Sequence, residues 1–271
     1  MQVHLPPSST AAHSVIVRRF VQGESFSGAE RVLLFEAFDL LHRADVATET
    51  GRERFASIYE RLIEAPFADD YLRRLTEARS VEAVAEPLRA QVSRKILPTL
   101  SAAGLVSPTE PLSFYLLAYC LYWWYAFARG YAFEVEVLRD LETSGVLHQA
   151  HDVLDSRARR SPFDLVVLGF RGDIKTTTYF LQIPRTQSLP HDFYITRVYK
   201  SGKRERIWVA LLKKHVWEAI DGETTPVTLS ALATALPGTF RIEQDDTILI
   251  VLDYEEWKAR VLRVQKADKG A

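Results

Sequence analysis

Two acidic residues and a lysine stand close together in the segment 163–176, which reads FDLVVLGFRGDIKT. An apolar run begins at Asp164, passes a turn bracketed by glycines, and continues into Asp173-Ile174-Lys175. Because alternate side chains of a strand share a face, Asp173 and Lys175 should point the same way, with Ile174 on the opposite face. If Asp164 lies on the neighbouring strand, two carboxylates and an ammonium converge. Such a group can hold a divalent metal and orient a water molecule for attack on a phosphodiester. A β-hairpin with a solvated, charged face would have the same sequence.

The residues before this segment predict a helix that brings a further acid. Its apolar residues recur at four-residue spacing and predict one buried face: Phe133, Val137 and Leu141. Gly145 is a natural place for the helix to end. Glu134 adjoins the apolar face, and we expect it to point inward. Glu136 is the second candidate for an inward acid, but it faces away from the apolar residues, and we expect it to be solvated.

The order of these elements resembles that of a known family. A helix with an inward acid is followed by a strand, a strand that begins at Asp164, and a strand that carries Asp-x-Lys. This order is similar to that of the PD-(D/E)xK phosphodiesterases, the restriction-endonuclease-like superfamily. The resemblance covers roughly residues 130–182. It departs from the usual motif in two ways, because Phe163 separates Pro162 from Asp164 and because the second acid is an aspartate.

The resemblance implies a fold and a role for each motif residue. The fold would be an α/β/α core with a central mixed sheet. Asp164 and Asp173 would bind Mg²⁺ (or Mn²⁺), Lys175 would position or activate the attacking water, and Glu134 would support the site. The acid pair offers hard oxygen ligands, which suit these ions better than zinc.

Positive charge is concentrated around the same motif. The segment from Arg157 to Lys214 holds 13 lysines and arginines against 4 acidic residues, a net charge of +9, so the rest of the chain carries −10 within a total of −1. A polyanion would be drawn to this segment. We expect five basic residues to contact a nucleic-acid backbone: Arg157, Arg159, Arg160, Lys203 and Arg204. A well-solvated hairpin with many surface charges is the alternative explanation.

The chain has 271 residues, 47% of them hydrophobic and 25% charged, which is typical of a globular protein with one large or two smaller domains. Apolar stripes with charged backs predict an all-helical domain over residues 1–129, with a flexible tail at its start. Residues 130–271 predict an α+β domain with a mostly consecutive sheet flanked by helices. Its expected strands are residues 146–154, a strand that begins at Asp164, a strand that carries Asp173 and Lys175 and continues over 176–181, and residues 193–200, 206–212, 240–243 and 247–252, the last two joined as a hairpin. Its later helices are expected over residues 228–236 and 254–264, the last capped by Asp253.

The segment 111–128 contains no charged residue and is rich in tyrosine and tryptophan. We expect a buried central helix here, because a helix that is apolar all round is usually a core helix. A homodimer interface is the second interpretation and a base-stacking platform the third. Its length is at the lower limit for a membrane span, but Tyr and Trp prefer membrane interfaces to bilayer cores, so we expect no membrane association.

Composition gives weaker indications about the cellular setting. Cys120 is the single cysteine, which fits a reducing compartment, and residues 1–13 lack the pattern of a secretory signal, so we expect a cytoplasmic protein. The sequence contains no asparagine and one methionine, a bias found in thermophile proteins and also produced by a GC-rich genome.

Three other polar residues lie near the motif in the sequence. His148 and His151 are three apart on an expected strand, which would place them on opposite faces, so we expect structural or surface roles for them. Gln182 would face away from Lys175 for the same reason unless a bulge intervenes. The sequence therefore predicts a metal-dependent endonuclease that acts on DNA rather than RNA, with a helical accessory domain. The alternative is a catalytically silent nuclease-like module that binds nucleic acid or a protein partner.

Overall fold

The computed structural model describes residues 2–4, 11–48, 51–106, 111–181, 189–199, 206–220, 225–226, 240–244 and 247–270. The chain divides into two compact units, Met1–Arg129 and Gly130–Ala271. The expected helix over 228–236 lies outside the described residues.

The first unit is mainly helical, as its apolar stripes predict. Its helices are α1 (Ala11–Val21), α2 (Gly28–His42), α3 (Phe55–Tyr59), α4 (Ala65–Glu77), α5 (Val81–Ala102) and the beginning of α6 (Pro111–Thr143), with a π-helical turn at Glu60–Glu64 between α3 and α4. Local sequence sets several of these limits. Ser27 and Glu30 form a capping box at the start of α2, and the Ser80 hydroxyl accepts from the Ala83 N–H at the start of α5.

A small antiparallel sheet also belongs to the first unit. It consists of β1 (Gln2–His4), β2 (Asp45–Thr48) and β3 (Gly51–Arg54). Gln2–His4 pairs with residues 45–47, so these residues do not form the expected loose tail, and the prediction of an all-helical first domain is wrong at this point. The strands have only three or four residues and no apolar alternation, so the pairing depends on backbone hydrogen bonds that leave no sequence pattern.

Helix α6 contains the aromatic segment. Its described side chains from Tyr115 to Ala128 are all buried or half-buried. Tyr119 packs edge-on against Phe55, and Trp124 packs edge-on against Tyr71. The prediction of a buried helix is confirmed over these residues. Among the helices of the described chain, we find no stretch with the length and apolarity that a bilayer crossing requires.

The second unit is built on an eight-stranded mixed sheet in the order β4-β5-β6-β7-β8-β11-β10-β9. The β6–β7 and β9–β10 pairs are parallel, and the other pairs are antiparallel. The strands are β4 (His148–Ala150), β5 (Leu165–Val167), β6 (Phe170–Lys175), β7 (Phe193–Tyr199), β8 (Arg206–Lys213), β9 (Thr225–Pro226), β10 (Phe240–Gln244) and β11 (Thr247–Asp253). This central mixed sheet confirms the predicted α+β class of the C-terminal half.

The sheet has a large apolar core on one face. The end of α6, the short α7 (Lys214–Ile220) and α8 (Tyr254–Gly270) bury their apolar residues there against strand residues such as Ile174, Ile195 and Leu212. The predicted face of α6 is confirmed, since Phe133, Val137 and Leu141 are all fully buried. On the opposite face, Tyr194 and Leu211 belong to a smaller core with Phe180, Leu181 and Leu189.

Two expected strands differ from what is observed. The strand expected over 146–154 is limited to β4 because the chain leaves the sheet after Ala150. The continuation of a strand over 176–181 is wrong, since Thr178–Leu181 forms a 3-10 turn. β6 and β7 are parallel, and a parallel pair requires a crossover connection, so the chain must leave the sheet after Lys175 despite its run of β-branched threonines. The β10–β11 hairpin and the cap of α8 by Asp253, which accepts from the Glu255 N–H at 2.9 Å, are as predicted.

Candidate functional site

The β5–β6 hairpin brings Asp164 and Asp173 together. Its turn is Leu168-Gly169, and both residues have positive φ angles, 52° and 80°, as in a two-residue type I′ turn. Leu165 pairs with Gly172, so one further step along the register places Asp164 opposite Asp173. The Asp164 carboxyl oxygen Oδ2 accepts from the Ile174 N–H at 2.6 Å, and its side chain hydrogen-bonds with that of Asp173.

Lys175 lies on the same face of β6 as Asp173. Its Nζ atom is 2.9 Å from Asp173 Oδ1 and 2.7 Å from Asp173 Oδ2. Asp173 is buried, whereas the Lys175 side chain is 43% exposed and can meet a ligand from solvent. Ile174, between them, points into the large core. The alternation expected from the sequence is therefore present.

Gly172 lets the strand that carries Asp173 approach the core closely. A Cβ atom at this position would lie 2.2 Å from Cζ of Phe193, whose ring is buried. Because no side chain fits there, glycine is required for the observed contact between β6 and the Phe193 ring.

Glu134 of α6 joins this pair of acids. Its side chain is 10% exposed, and Asp164 and Asp173 both act on it electrostatically. Its carboxyl oxygen Oε1 forms no hydrogen bond within the described part of the chain. Glu134 is thus the inward acid, as we expected. Glu136 is not solvated, contrary to our expectation. It pairs with Arg197, whose guanidinium lies 4.0 Å from the centre of the Phe133 ring.

His151 lies in the site, although the sequence predicted a structural or surface role for it. Its Nε2 atom lies 3.3 Å from Glu134 Oε1. Glu134, His151 and Asp164 each offer one ligand atom, and these atoms lie within 4.8 Å of one another. His148 does not take part, because its Nδ1 atom contacts the Val146 carbonyl oxygen at 2.9 Å. The alternation rule failed because β4 ends at Ala150, one residue before His151.

His191 is the second histidine that the sequence argument missed. Its Nε2 atom lies 3.4 Å from Asp173 Oδ2, and its ring meets that of Tyr194 edge-on. The backbone N–H of His191 donates to the Tyr194 hydroxyl at 3.2 Å. The next residue, Asp192, fixes the position of His191 through hydrogen bonds to β6 and to β8. Its N–H donates to Arg171 O, its carbonyl accepts from the Lys213 N–H, and its Oδ2 accepts from the Arg171 N–H. No local pattern marks His191, because only the crossover between β6 and β7 brings it here.

The carboxyl groups of this site change one another's pKa values. Burial, with the negative charges of Asp164 and Asp173, raises the pKa of Glu134 to about 8. Burial and the neighbouring Asp173 raise the pKa of Asp164 to about 7. Burial also lowers the pKa of His151 and of His191, which favours their neutral forms at pH 7. Three carboxyl groups in one place, offset by Lys175, favour a bound cation.

The basic residues expected to contact a backbone are only partly described. Arg157 is exposed and Arg159 is half-buried. Arg160 belongs to the 3-10 turn Ala158–Arg160, but its side chain lies outside the described residues, as do Lys203, Arg204 and Gln182. Arg171 adds a further exposed cation, with its guanidinium 5.3 Å from the centre of the Phe163 ring.

We compared the chain with protein-family models, with curated proteins and with solved structures. None of them matches it. Two acids, a lysine and a third buried acid meet at one place on a mixed sheet, with a histidine on either side. These groups have the chemistry to bind a divalent cation and to place a charged donor beside it.

Proposed function

We propose that the chain is a metal-dependent phosphodiesterase that cleaves nucleic acid, DNA in preference to RNA. The observation that carries the proposal is the convergence of Glu134, Asp164, Asp173 and Lys175 from one helix and two paired strands. The order of these elements also supports it, because it resembles that of the restriction-endonuclease-like superfamily. On this proposal, the mixed sheet and its flanking helices form a restriction-endonuclease-like core.

The acids fit a divalent cation on two observations. Glu134 Oε1 is buried without a hydrogen bond in the described part of the chain, and burial together with neighbouring carboxyl groups raises the pKa of both Glu134 and Asp164. Asp164 and Asp173 would hold Mg²⁺ or Mn²⁺, with Glu134 beside them. When bound, such an ion lowers the pKa of a coordinated water and neutralises charge on the phosphate.

Lys175 would act on the substrate side of the acids. Its ammonium contacts both oxygens of Asp173, and the partly exposed side chain leaves room for further ligands. It would orient the attacking water and offset the charge that develops on the phosphate oxygens. His191 would hold Asp173 from the other direction.

The basic segment around the site would bind the nucleic-acid backbone. Arg157 and Arg171 are exposed near the strands that carry the acids, and phosphate contacts of this type fix position without reading sequence. We assign the helical first unit to substrate choice or oligomerisation. If the described part of the aromatic segment contributes to a homodimer, its half-buried residues between Tyr115 and Ala128 would make the contact.

A nuclease screen tests the proposal directly. The purified chain is incubated with duplex DNA, single-stranded DNA and RNA, in Mg²⁺, in Mn²⁺ and in chelator. We expect cleavage with a metal, loss of cleavage in chelator, and loss in Lys175→Met. Absence of cleavage with both metals on all three substrates would contradict the proposal. Metal-independent binding without cleavage would instead favour the catalytically silent module.

A further inference from the structure

We propose that His151 is a direct metal ligand and that it makes the site selective for Mn²⁺ over Mg²⁺. This inference rests on the proposed function, which needs a divalent cation at this site. It adds that the preferred cation is Mn²⁺. It concerns the group formed by Glu134, His151 and Asp164, hereafter the His-carboxylate cluster.

The geometry of the cluster fits one metal ion. Its three ligand atoms lie within 4.8 Å of one another. In an octahedral site with metal–oxygen distances of about 2.1 Å, neighbouring ligands are about 3 Å apart and opposite ligands about 4.2 Å. His151 Nε2 and Glu134 Oε1 are 3.3 Å apart. Shifts of a few tenths of an ångström would therefore bring all three atoms to a common ion.

Burial supplies an independent indication that something belongs between these atoms. The Glu134 and His151 side chains are 10% and 12% exposed, and Glu134 Oε1 faces the cluster without a hydrogen bond in the described part of the chain. Buried carboxylate oxygens are normally hydrogen-bonded or bound to a metal. An ion would satisfy this oxygen and the His151 nitrogen at once.

The position of the imidazole suits coordination, because its Nε2 atom faces Glu134 Oε1 and a neutral ring has a free nitrogen lone pair. The backbone of Phe163 and Asp164 approaches the ring, although among the described residues the buried Nδ1 atom finds no partner with regular hydrogen-bond geometry. A backbone group of this kind commonly fixes the orientation of a ligating histidine.

The nitrogen ligand decides the choice of ion. Mg²⁺ takes oxygen ligands and keeps several waters, whereas affinity for imidazole rises along the transition metals. Carboxylates suit Mn²⁺ as well as Mg²⁺. A cluster of two carboxylates and one imidazole thus retains the oxygen ligands that both ions accept and adds one that favours Mn²⁺.

The experiment measures metal binding in the absence of nucleic acid. Mn²⁺ binding to the full chain is followed by electron paramagnetic resonance, and Mg²⁺ affinity is obtained by competition. We expect Mn²⁺ to bind at least about tenfold more tightly than Mg²⁺. The spin-echo spectrum of bound Mn²⁺ should show modulation from a directly bound nitrogen, which changes when histidine is labelled with ¹⁵N.

The His151→Asn variant isolates the ligand. We expect at least about a tenfold loss of Mn²⁺ affinity, since even the loss of an outer partner of a ligand costs about 10–100-fold, and a smaller loss for Mg²⁺. The nitrogen modulation should disappear. His148→Asn is the matched control, because its Nδ1 contacts a backbone carbonyl outside the cluster, and it should keep both affinities. Thermal unfolding in chelator checks that both variants fold.

The outcomes separate this inference from the proposed function. Equal affinity for the two ions, or Mn²⁺ affinity unchanged in His151→Asn, would overturn the inference while cleavage with Mg²⁺ still supports the function. Nitrogen-ligated Mn²⁺ in a chain that cleaves no substrate would support the inference and overturn the function. A chain that binds neither ion would overturn both.

Discussion

The Asp164 carboxylate accepts the backbone N–H of Ile174 at 2.6 Å, so a candidate metal ligand also closes the hairpin on which the second ligand lies. Asp164 is half-buried, so removing its side chain should affect the stability of the fold as well as the site. One carboxyl oxygen has a structural hydrogen bond, and the side chain as a whole stands among like charges.

Removing the Asp164 carboxylate should therefore have different effects in two variants. Asp164→Ala leaves the Ile174 N–H without its partner, which costs about 1–3 kcal/mol. Asp164→Asn keeps an acceptor and removes a charge, so its free energy of unfolding in chelator should equal or exceed that of the wild type. Both variants should lose cleavage. Urea denaturation measures the difference, and equal destabilisation by Ala and Asn would show that the hydrogen bond contributes little.

His191 should influence the site through Asp173. In His191→Ala the Asp173 carboxylate loses a neighbouring donor, and we expect cation affinity to fall about 10–100-fold, as for other partners of metal ligands. His191→Gln keeps a donor and should recover much of the affinity. His148→Ala is the control, because the His148 ring contacts the Val146 carbonyl oxygen and not an acid of the site. Calorimetric titration with Mn²⁺ tests this, and equal affinities in all three variants would contradict it.

The stability of the chelated protein should fall as the pH rises from about 4 to about 8. The pKa is raised to about 7 for Asp164 and to about 8 for Glu134, from ordinary values of 3.8 and 4.5. In this window the folded protein keeps protons that the unfolded chain has released. The stabilisation is complete below the ordinary pKa values of the unfolded chain. It is lost as the pH rises to the raised pKa values of the folded protein, by up to about 1.4 kcal/mol per pH unit for each acid.

Urea denaturation in chelator between pH 5 and pH 8.5 measures this slope. Glu134→Gln should make it shallower, because one of the two titrating groups is gone. Added Mn²⁺ should oppose the loss, since a cation binds the deprotonated carboxylates. A stability that is flat or rises across this range would contradict raised pKa values of Glu134 and Asp164 in the folded protein.

Gly172→Ala should destabilise the protein by about 1–3 kcal/mol, because the added methyl group would overlap the buried Phe193 ring. The required shift of β6 should also impair cation binding by Asp173. Gly130→Ala is the matched control. This glycine lies inside α6, a Cβ there meets nothing within 4 Å, and alanine should stabilise the helix by about 0.5–1 kcal/mol. Denaturation of both variants is the measurement, and a neutral Gly172→Ala would contradict the packing argument.

Nucleic-acid binding should weaken steeply with salt. Each neutralised phosphate of duplex DNA contributes about −0.9 to the slope of log K against log salt concentration. Reversing charge at Arg157, Arg159 and Arg160 should flatten the slope and reduce cleavage through affinity rather than turnover. Reversing the exposed Arg31, Arg79 and Arg94 of the first unit applies the same change in charge and is the control. If only the control flattened the slope, the binding surface would belong to the helical unit.

The acids could be predicted from the sequence because the geometry that joins them is local. Asp164, Asp173 and Lys175 lie on two strands joined by a two-residue turn, where alternation alone fixes which side chains share a face. Glu134 followed from the helical spacing of its apolar neighbours. These rules need no knowledge of distant parts of the chain.

The histidines could not be predicted in this way. His151 lies just beyond the end of a three-residue strand, and His191 arrives by a crossover whose path no local pattern specifies. The same limit explains Glu136, whose burial depends on Arg197 sixty-one residues later, and the strand Gln2–His4, whose partner begins at Asp45. Local sequence patterns predict which side chains of a strand share a face. They do not predict where a strand ends or which residues a distant segment contributes to the site.

The crossover that delivers His191 also bears on the order in which the site forms. The hairpin from Asp164 to Lys175 is closed by short-range contacts, whereas Glu134, His151 and His191 join it through long-range ones. Short loops close early, and distant contacts form late in folding. A cation that needs the late contacts stabilises the completed protein and not the transition state. It should therefore slow unfolding and leave the rate of folding nearly unchanged.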